Sequence, residues 1–423
     1  MPPDATTPGL DAGTRAEVRV AQAWFWDGYY VRRGIDLQHR FSAEVSTVTD
    51  LDLLGYSFEP SLKYHKHIGE VKTGKANNTP RPLDRALWMC GLRELVGAES
   101  GEVTTAFKTS VAVRDVCRRL GVAVQHLDDL AARENRLWID RFNDLGSQGE
   151  TVAVLRKAVH AFVKSDPTLE RGYWFLVSEV WFLEPFDALK RTLGLIRELG
   201  KLWPPETHHE AMKIARWFFA EAISIVTLNL GIIAGEANSM DAQTFKDTAI
   251  ARLASGDIPS YAVRKLSDRF DEYLGKILAS VDAPADIRVT AMGAFLPLAP
   301  DYAEPLLELV SRLATDAATT ARLPWQLDAV LFERLVRRRD LSPELRHRLG
   351  LSTATERLTR LVAAFLRGQF TLPGPVDKVL TTPLVGDESP HGANSQATLF
   401  DSQYDGNENA QSLVAPKTSD HEV

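Results

Sequence analysis

Apolar spacing divides the chain into two regimes. As far as about residue 130, two-residue and three-to-four-residue periods alternate, whereas from Ala131 to about Phe370 helical spacing runs almost without interruption. Between Thr14 and Trp26 the residues Val18, Ala21 and Phe25 fall on one helical face. Thr14 is placed to cap that helix, with Glu17 three residues on completing a capping box. Tyr29 to Ala43 alternates through Leu37, His39 and Phe41 as a strand does. Thr49–Gly55 and His67–Lys75 are apolar segments of strand composition, and Glu59-Pro60-Ser61 between them reads as a turn. A loop at Asn77–Pro82 precedes a helix over Leu83–Val96 with Leu87, Gly91 and Leu95 along one stripe. Glu102–Lys108 reads as a strand, Val111–Leu120 as a helix and Val122–Leu127 as a strand. The predicted order is helix, three strands, helix, strand, helix, strand.

The helical stretch is punctuated at Asp166-Pro167, Trp203-Pro204-Pro205, Asp257-Ile258-Pro259, Ala283-Pro284 and Ala299-Pro300, with no fixed repeat period. Tyr173, Trp174, Phe175, Trp181, Phe182 and Phe186, with Trp217, Phe218 and Phe219, are expected to build its core rather than to stack on bases. Trp217–Gly235 approaches membrane-like hydropathy but carries Glu221 and Asn229, so a buried helix is expected. Leu372 onward is rich in Pro, Gly, Ser, Asn, Asp and Thr, a composition that predicts disorder. The expected division is a loose start at 1–13, an α/β domain at 14–130, an all-α domain at 131–370 and an acidic tail at 371–423.

Composition changes this picture little. A chain of 423 residues, 44% hydrophobic and 25% charged, is ordinary for a soluble globular protein. Two cysteines, Cys90 and Cys117, give neither a disulfide framework nor a metal knuckle, and Met1–Arg15 lacks the apolar run of a secretory signal. A cytoplasmic protein without a membrane span is expected. Charge is more informative once divided along the chain. Of the net −7, the tail carries −6, from eight acids and two bases, so the remainder is close to neutral. Within Glu59–Arg93 seven Lys or Arg stand against three acids, a basic patch able to hold phosphate.

That patch surrounds the candidate chemistry. Asp50 and Asp52 on one predicted strand, and Glu70 and Lys72 on the next, sit at i, i+2 spacing and so share a face. The midpoint between Asp52 and Glu70 is Ser61, in the proposed turn, so the two carboxylates stand opposite each other. Solvated cross-strand ion pairs on an exposed hairpin are the plain alternative, but Leu51, Leu53 and Val71 are too apolar for strands bathed on both faces. Lys75, Arg81 and Arg85 lie just downstream, where phosphate contacts position nucleic acid without reading sequence. His65 and His67 read as turn or DNA-facing residues rather than zinc ligands. The arginines between Arg334 and Arg348 read as a solvated helix face, with phosphate contact as the alternative.

Glu17 on the first helix, Asp52 on the second strand and Glu70-Val71-Lys72 on the third, in this order of elements, resemble the PD-(D/E)XK nuclease superfamily over about residues 14–130. Leu51 stands where the family's name pattern has proline. The resemblance implies a restriction-endonuclease-like α/β fold and a Mg²⁺-dependent (Mn²⁺-tolerant) phosphodiesterase. A deoxyribonuclease in DNA repair, recombination or anti-phage defence is the implied activity, and a non-cleaving adaptor that keeps the fold is the alternative. It further implies Asp52 and Glu70 as metal ligands, the Val71 carbonyl as a third oxygen, and Lys72 as the cation that orients the attacking water. Glu17 becomes a helix-borne acid completing the shell, against its capping reading, and Asp50 an acid behind the ligands or a substitute for one. In the tail, Gln396, Leu399 and Phe400 resemble the short peptides with which bacterial DNA-processing proteins dock on the replicative sliding clamp.

Overall fold

Asp11, not Thr14, begins the first helix: its carboxylate accepts the Thr14 N–H at 2.9 Å, so α1 runs Ala12–Trp26 and Glu17 lies beyond the cap. The same bonds to Thr14 hold the Asp11 carboxyl at about 2. The capping-box reading of Glu17 is thereby corrected, because an acidic side chain three residues upstream of Thr14 takes the role. The computed structural model describes residues 10–41, 44–74, 81–139, 144–255, 260–281 and 298–386. The chain divides into two compact units, 1–385 and 386–423; the first is considered below, and Gln396, Leu399 and Phe400 lie outside the described residues.

After α1 come β1 (Tyr30–Phe41), β2 (Glu44–Phe58), β3 (Tyr64–Lys72), α2 (Pro82–Val96), β4 (Ser100–Thr105), α3 (Val111–Arg119) and β5 (Val122–His126), the order the spacing predicts. The strands form one mixed sheet in sequence order, β1–β2–β3 antiparallel and β3–β4–β5 parallel. Leu53 pairs with Gly69 and Phe58 with Tyr64, the register centred on position 61. The turn is closed by the Glu59 N–H on Lys63 O at 2.8 Å, with Leu62 in the left-handed region.

Helix α1 lies on the sheet through Trp24. A Cβ on Gly69 would meet Trp24 Cη2 at 2.7 Å, and one on Gly55 would meet Trp24 Cε3 at 3.1 Å, so two bare backbones admit the indole. His67 packs its ring 4.5 Å from the Trp24 ring and bonds Ser100, and burial, with Arg133 adding, lowers its pKa to about 4. It is a packed neutral imidazole, not a DNA-facing one, whereas His65, the second residue of β3, lies against Glu59 of the turn at 2.8 Å.

Helix α2 turns Ala86, Met89, Leu92 and Val96 to the sheet and leaves Leu87 and Leu95 exposed, so the stripe expected through Gly91 faces away. The remainder is largely helical, from α4 (Leu127–Arg136), α5 (Glu150–Val163), α6 (Pro167–Val177) and α7 (Pro185–Lys201) to α8 (His209–Asn238) and beyond, and a last helix over Gly374–Thr381 buries Val376 and Leu380, so the disorder expected from Leu372 is corrected as far as residue 386. Helix α8 is buried along most of its length, and Tyr173, Phe175, Trp181, Phe186, Trp217, Phe218 and Phe219 are core residues as anticipated.

A buried ion cluster binds the sheet to these helices. Arg32 on β1 donates to Glu221 of α8 at 2.6 Å, pairs with Asp328 at 2.9 Å and bonds Ser224 and Ser147, its guanidinium 4.3 Å from the Tyr30 ring centroid. The arginine-rich run is a solvated face only in part: Arg338 and Arg339 are exposed, whereas the Arg334 and Arg337 side chains turn inward. Arg337 pairs with Glu333 at 2.7 Å and Asp144 at 3.1 Å, Arg334 and Arg346 both reach Asp340, and Arg348 lies 4.0 Å over Trp26.

Candidate metal centre

The paired part of the β2–β3 ladder ends at Leu53 and Gly69, one residue short of Asp52 and Glu70. There the Val71 N–H, which a continued ladder would give to a strand carbonyl, donates to Asp52 Oδ2 at 2.7 Å. The aspartate side chain thus takes over a strand bond and is fixed by it. Because alternate residues of a strand face opposite ways, Glu70 and Lys72 point away from the face on which Trp24 meets Gly69. Helix α2 covers that other side, with Arg85 Nη1 3.5 Å from Glu70 Oε1.

The structure therefore gathers Asp52, Glu70, Lys72 and Arg85. Lys72 Nζ bridges the two carboxylates, 2.7 Å from Glu70 Oε1 and 3.3 Å from Asp52 Oδ2. Both acids are buried, at 6% and 4% exposure. Burial raises the Asp52 pKa, with Lys72 and the Val71 N–H opposing it. Burial likewise raises that of Glu70, and repulsion from Asp52 adds to it. For Lys72 burial works against the charge, but the two carboxylates outweigh it and its pKa stands above the usual lysine value. Two buried acids that repel each other form a strong cation-binding locus, and the protein's own ammonium occupies it.

Glu17 comes within electrostatic range without joining the cluster. Its carboxylate is 3.5 Å from Arg33 on β1, and burial, then repulsion from Asp52, raises its pKa to about 7. Arg33 was not singled out in the sequence, where nothing marks an arginine paired across two elements. Asp50 is exposed opposite Asp36 on β1, and its charge adds to the upward pressure on Asp52. Arg81 is the exposed residue before α2, and Lys75 lies outside the described residues.

Among the described residues no three His, Cys, Asp or Glu side chains gather at metal-binding spacing. The donor set still suits one ion. Mg²⁺ prefers oxygen, keeps several waters and is commonly held by one or two carboxylates, which Asp52 and Glu70 supply once Lys72 swings aside. Comparison with protein-family models, with curated proteins and with solved structures matched this chain to none of them.

Proposed function

We propose that the chain is a Mg²⁺-dependent phosphodiesterase acting on nucleic acid, DNA above RNA, with a restriction-endonuclease-like catalytic unit at its N-terminal end. The observation that carries this reading is the convergence of Asp52, Glu70 and Lys72 where the β2–β3 ladder opens. Asp52 is held by the Val71 N–H, so its carboxylate would bind where it stands once Lys72 moves off it. Glu70 would hold the ion in place of Lys72 and Arg85, which would leave both basic side chains to an anionic substrate. Lys72, still tethered beside the two acids, orients the attacking water and offsets charge on the phosphoryl oxygens. Arg85, with Arg81 and Lys75 upstream in sequence, holds the neighbouring phosphates. When bound, the ion supplies a water of lowered pKa and neutralises phosphoryl charge.

The test is cleavage. Purified full-length chain is incubated with DNA and RNA, with and without Mg²⁺ or Mn²⁺, beside Asp52→Ala and Lys72→Ala. Metal-dependent cleavage lost in both variants is expected; cleavage that persists in both removes these residues from the chemistry. A second reading, a nucleic-acid-binding adaptor that does not cut, is favoured by one feature: Lys72 and Arg85 already neutralise the two carboxylates internally. Binding of DNA by the wild type with no cleavage under either metal selects that reading.

A further inference from the structure

Helix α2 has a flank on either side of the face it buries. Cys90 and Arg93 lie on one, and both bond Leu120 O at the end of α3, so that flank meets the α3–β5 side. Arg81, Arg85 and Trp88 recur at i, i+4 and i+7 on the other. Arg85 reaches Glu70 at 3.5 Å, which turns this flank toward β3 and the two carboxylates. Farther along it, Leu95 borders a cavity of about 270 Å³ together with Lys66 of β3 and, from the segment after α6, Trp181 and Phe182. The flank therefore walls a recess over β3, with the candidate centre at one end.

Trp88 is the aromatic surface of that wall. It is 36% exposed, and core packing does not account for it, because Ala86, Met89, Leu92 and Val96 are what α2 buries against the sheet. Its ring centroid lies 5.4 Å from the Arg85 guanidinium carbon, so one guanidinium spans from the indole to the Glu70 carboxylate. An open indole beside a cation is the kind of platform on which bases stack irrespective of sequence. The two acids themselves lie deep, Asp52 at 6% and Glu70 at 4% exposure. A phosphate on a flexible single strand reaches such a floor, whereas a duplex is too stiff to bend into it without a deformation cost.

We infer that the substrate of the candidate centre is single-stranded nucleic acid, and that Trp88 stacks the base next to the phosphate held by Lys72 and Arg85. The inference rests on the phosphodiesterase reading and adds to it a substrate class and a positioning residue. Stacking on a side-chain ring takes a base out of its own stack, which a single strand offers and an intact duplex does not.

Fluorescence anisotropy of the full chain on a short labelled strand and on the matching duplex tests this, with Ca²⁺ in place of Mg²⁺ to hold back cleavage. Wild type should bind the strand more tightly than the duplex. Trp88→Leu, which keeps an apolar side chain without a ring face, should weaken strand binding roughly 5- to 150-fold and leave duplex binding within about twofold, while Trp88→Phe recovers most of the loss. A strand made abasic at the stacked position should lose affinity for wild type by a similar factor and lose none for Trp88→Leu. If Trp88→Leu does not fold, Trp88→Phe and the abasic strands on wild type decide together. A strand held by Trp88→Leu as tightly as by wild type, equal weakening of strand and duplex, or a wild type that prefers the duplex overturns the inference and leaves the phosphodiesterase reading standing. Wild type that binds neither nucleic acid overturns both.

Discussion

Removing the Lys72 ammonium separates a cation-binding locus from a merely structural ion pair. In Lys72→Ala, Asp52 keeps the Val71 N–H and Glu70 keeps Arg85, but the bridge at 2.7 and 3.3 Å is gone and two buried acids face each other. Deleting one partner of a fully buried pair costs roughly 3–5 kcal/mol. Lys72 is 31% exposed and two partners remain, so the expected loss is about 1–3 kcal/mol near pH 8. The sign with pH follows from the raised carboxyl pKa values. A group that holds its proton more tightly folded than unfolded destabilises the fold as pH climbs, so the deficit shrinks as pH falls toward about 5. Millimolar Mg²⁺ should then restore the variant's melting temperature while moving the wild type less, because the ion replaces the missing charge and binds only the folded chain. Urea and thermal melts with and without Mg²⁺ give the answer. A variant as stable as wild type at pH 8, or one that ignores Mg²⁺, refutes the reasoning.

Other substitutions test the supporting structure. Arg32→Leu strands Glu221 and Asp328 in the core, and urea melts should show a loss of about 3–5 kcal/mol or no cooperative transition; wild-type stability would mean that the cluster is not holding β1 to the helices. Gly69→Ala drives a methyl into the Trp24 ring at 2.7 Å and should cost about 1–3 kcal/mol, with a changed tryptophan near-ultraviolet signal. Glu17→Gln removes a carboxyl raised to about 7, which destabilises the fold as pH rises from about 4.5 to 7. The variant's melting temperature should therefore gain on wild type across that window and run parallel to it below, and a constant offset would contradict the assignment.

How far the sequence carried the structure depended on distance along the chain. The two-residue period around Leu51–Leu53 and Ile68–Val71 gave the hairpin and its register because a short turn at Glu59–Lys63 leaves little freedom in pairing. The element order through β5 was readable for the same reason: each helix and strand announces itself locally. The α2 face was misjudged because Leu87, Gly91 and Leu95 satisfy one helical row while Ala86, Met89, Leu92 and Val96 satisfy another, and only packing chooses. Buried polar partners were invisible. Arg32 meets Glu221 and Asp328, Arg337 meets Asp144, and Glu17 meets Arg33, pairs brought together by the fold and not by spacing. At the candidate centre, the acids and Lys72 were identifiable from their strands. That Lys72 lies between the acids, and that Arg85 turns back onto Glu70, required coordinates.

The central claim is that Asp52 and Glu70 together hold a divalent ion. Crystals of the full chain soaked in manganese chloride, with anomalous data at the manganese edge, test it most directly. A peak between the two carboxylates, with Lys72 Nζ moved off both, is the predicted result. Lys72 still bridging Asp52 and Glu70 at saturating manganese, with no peak beside them, would contradict it.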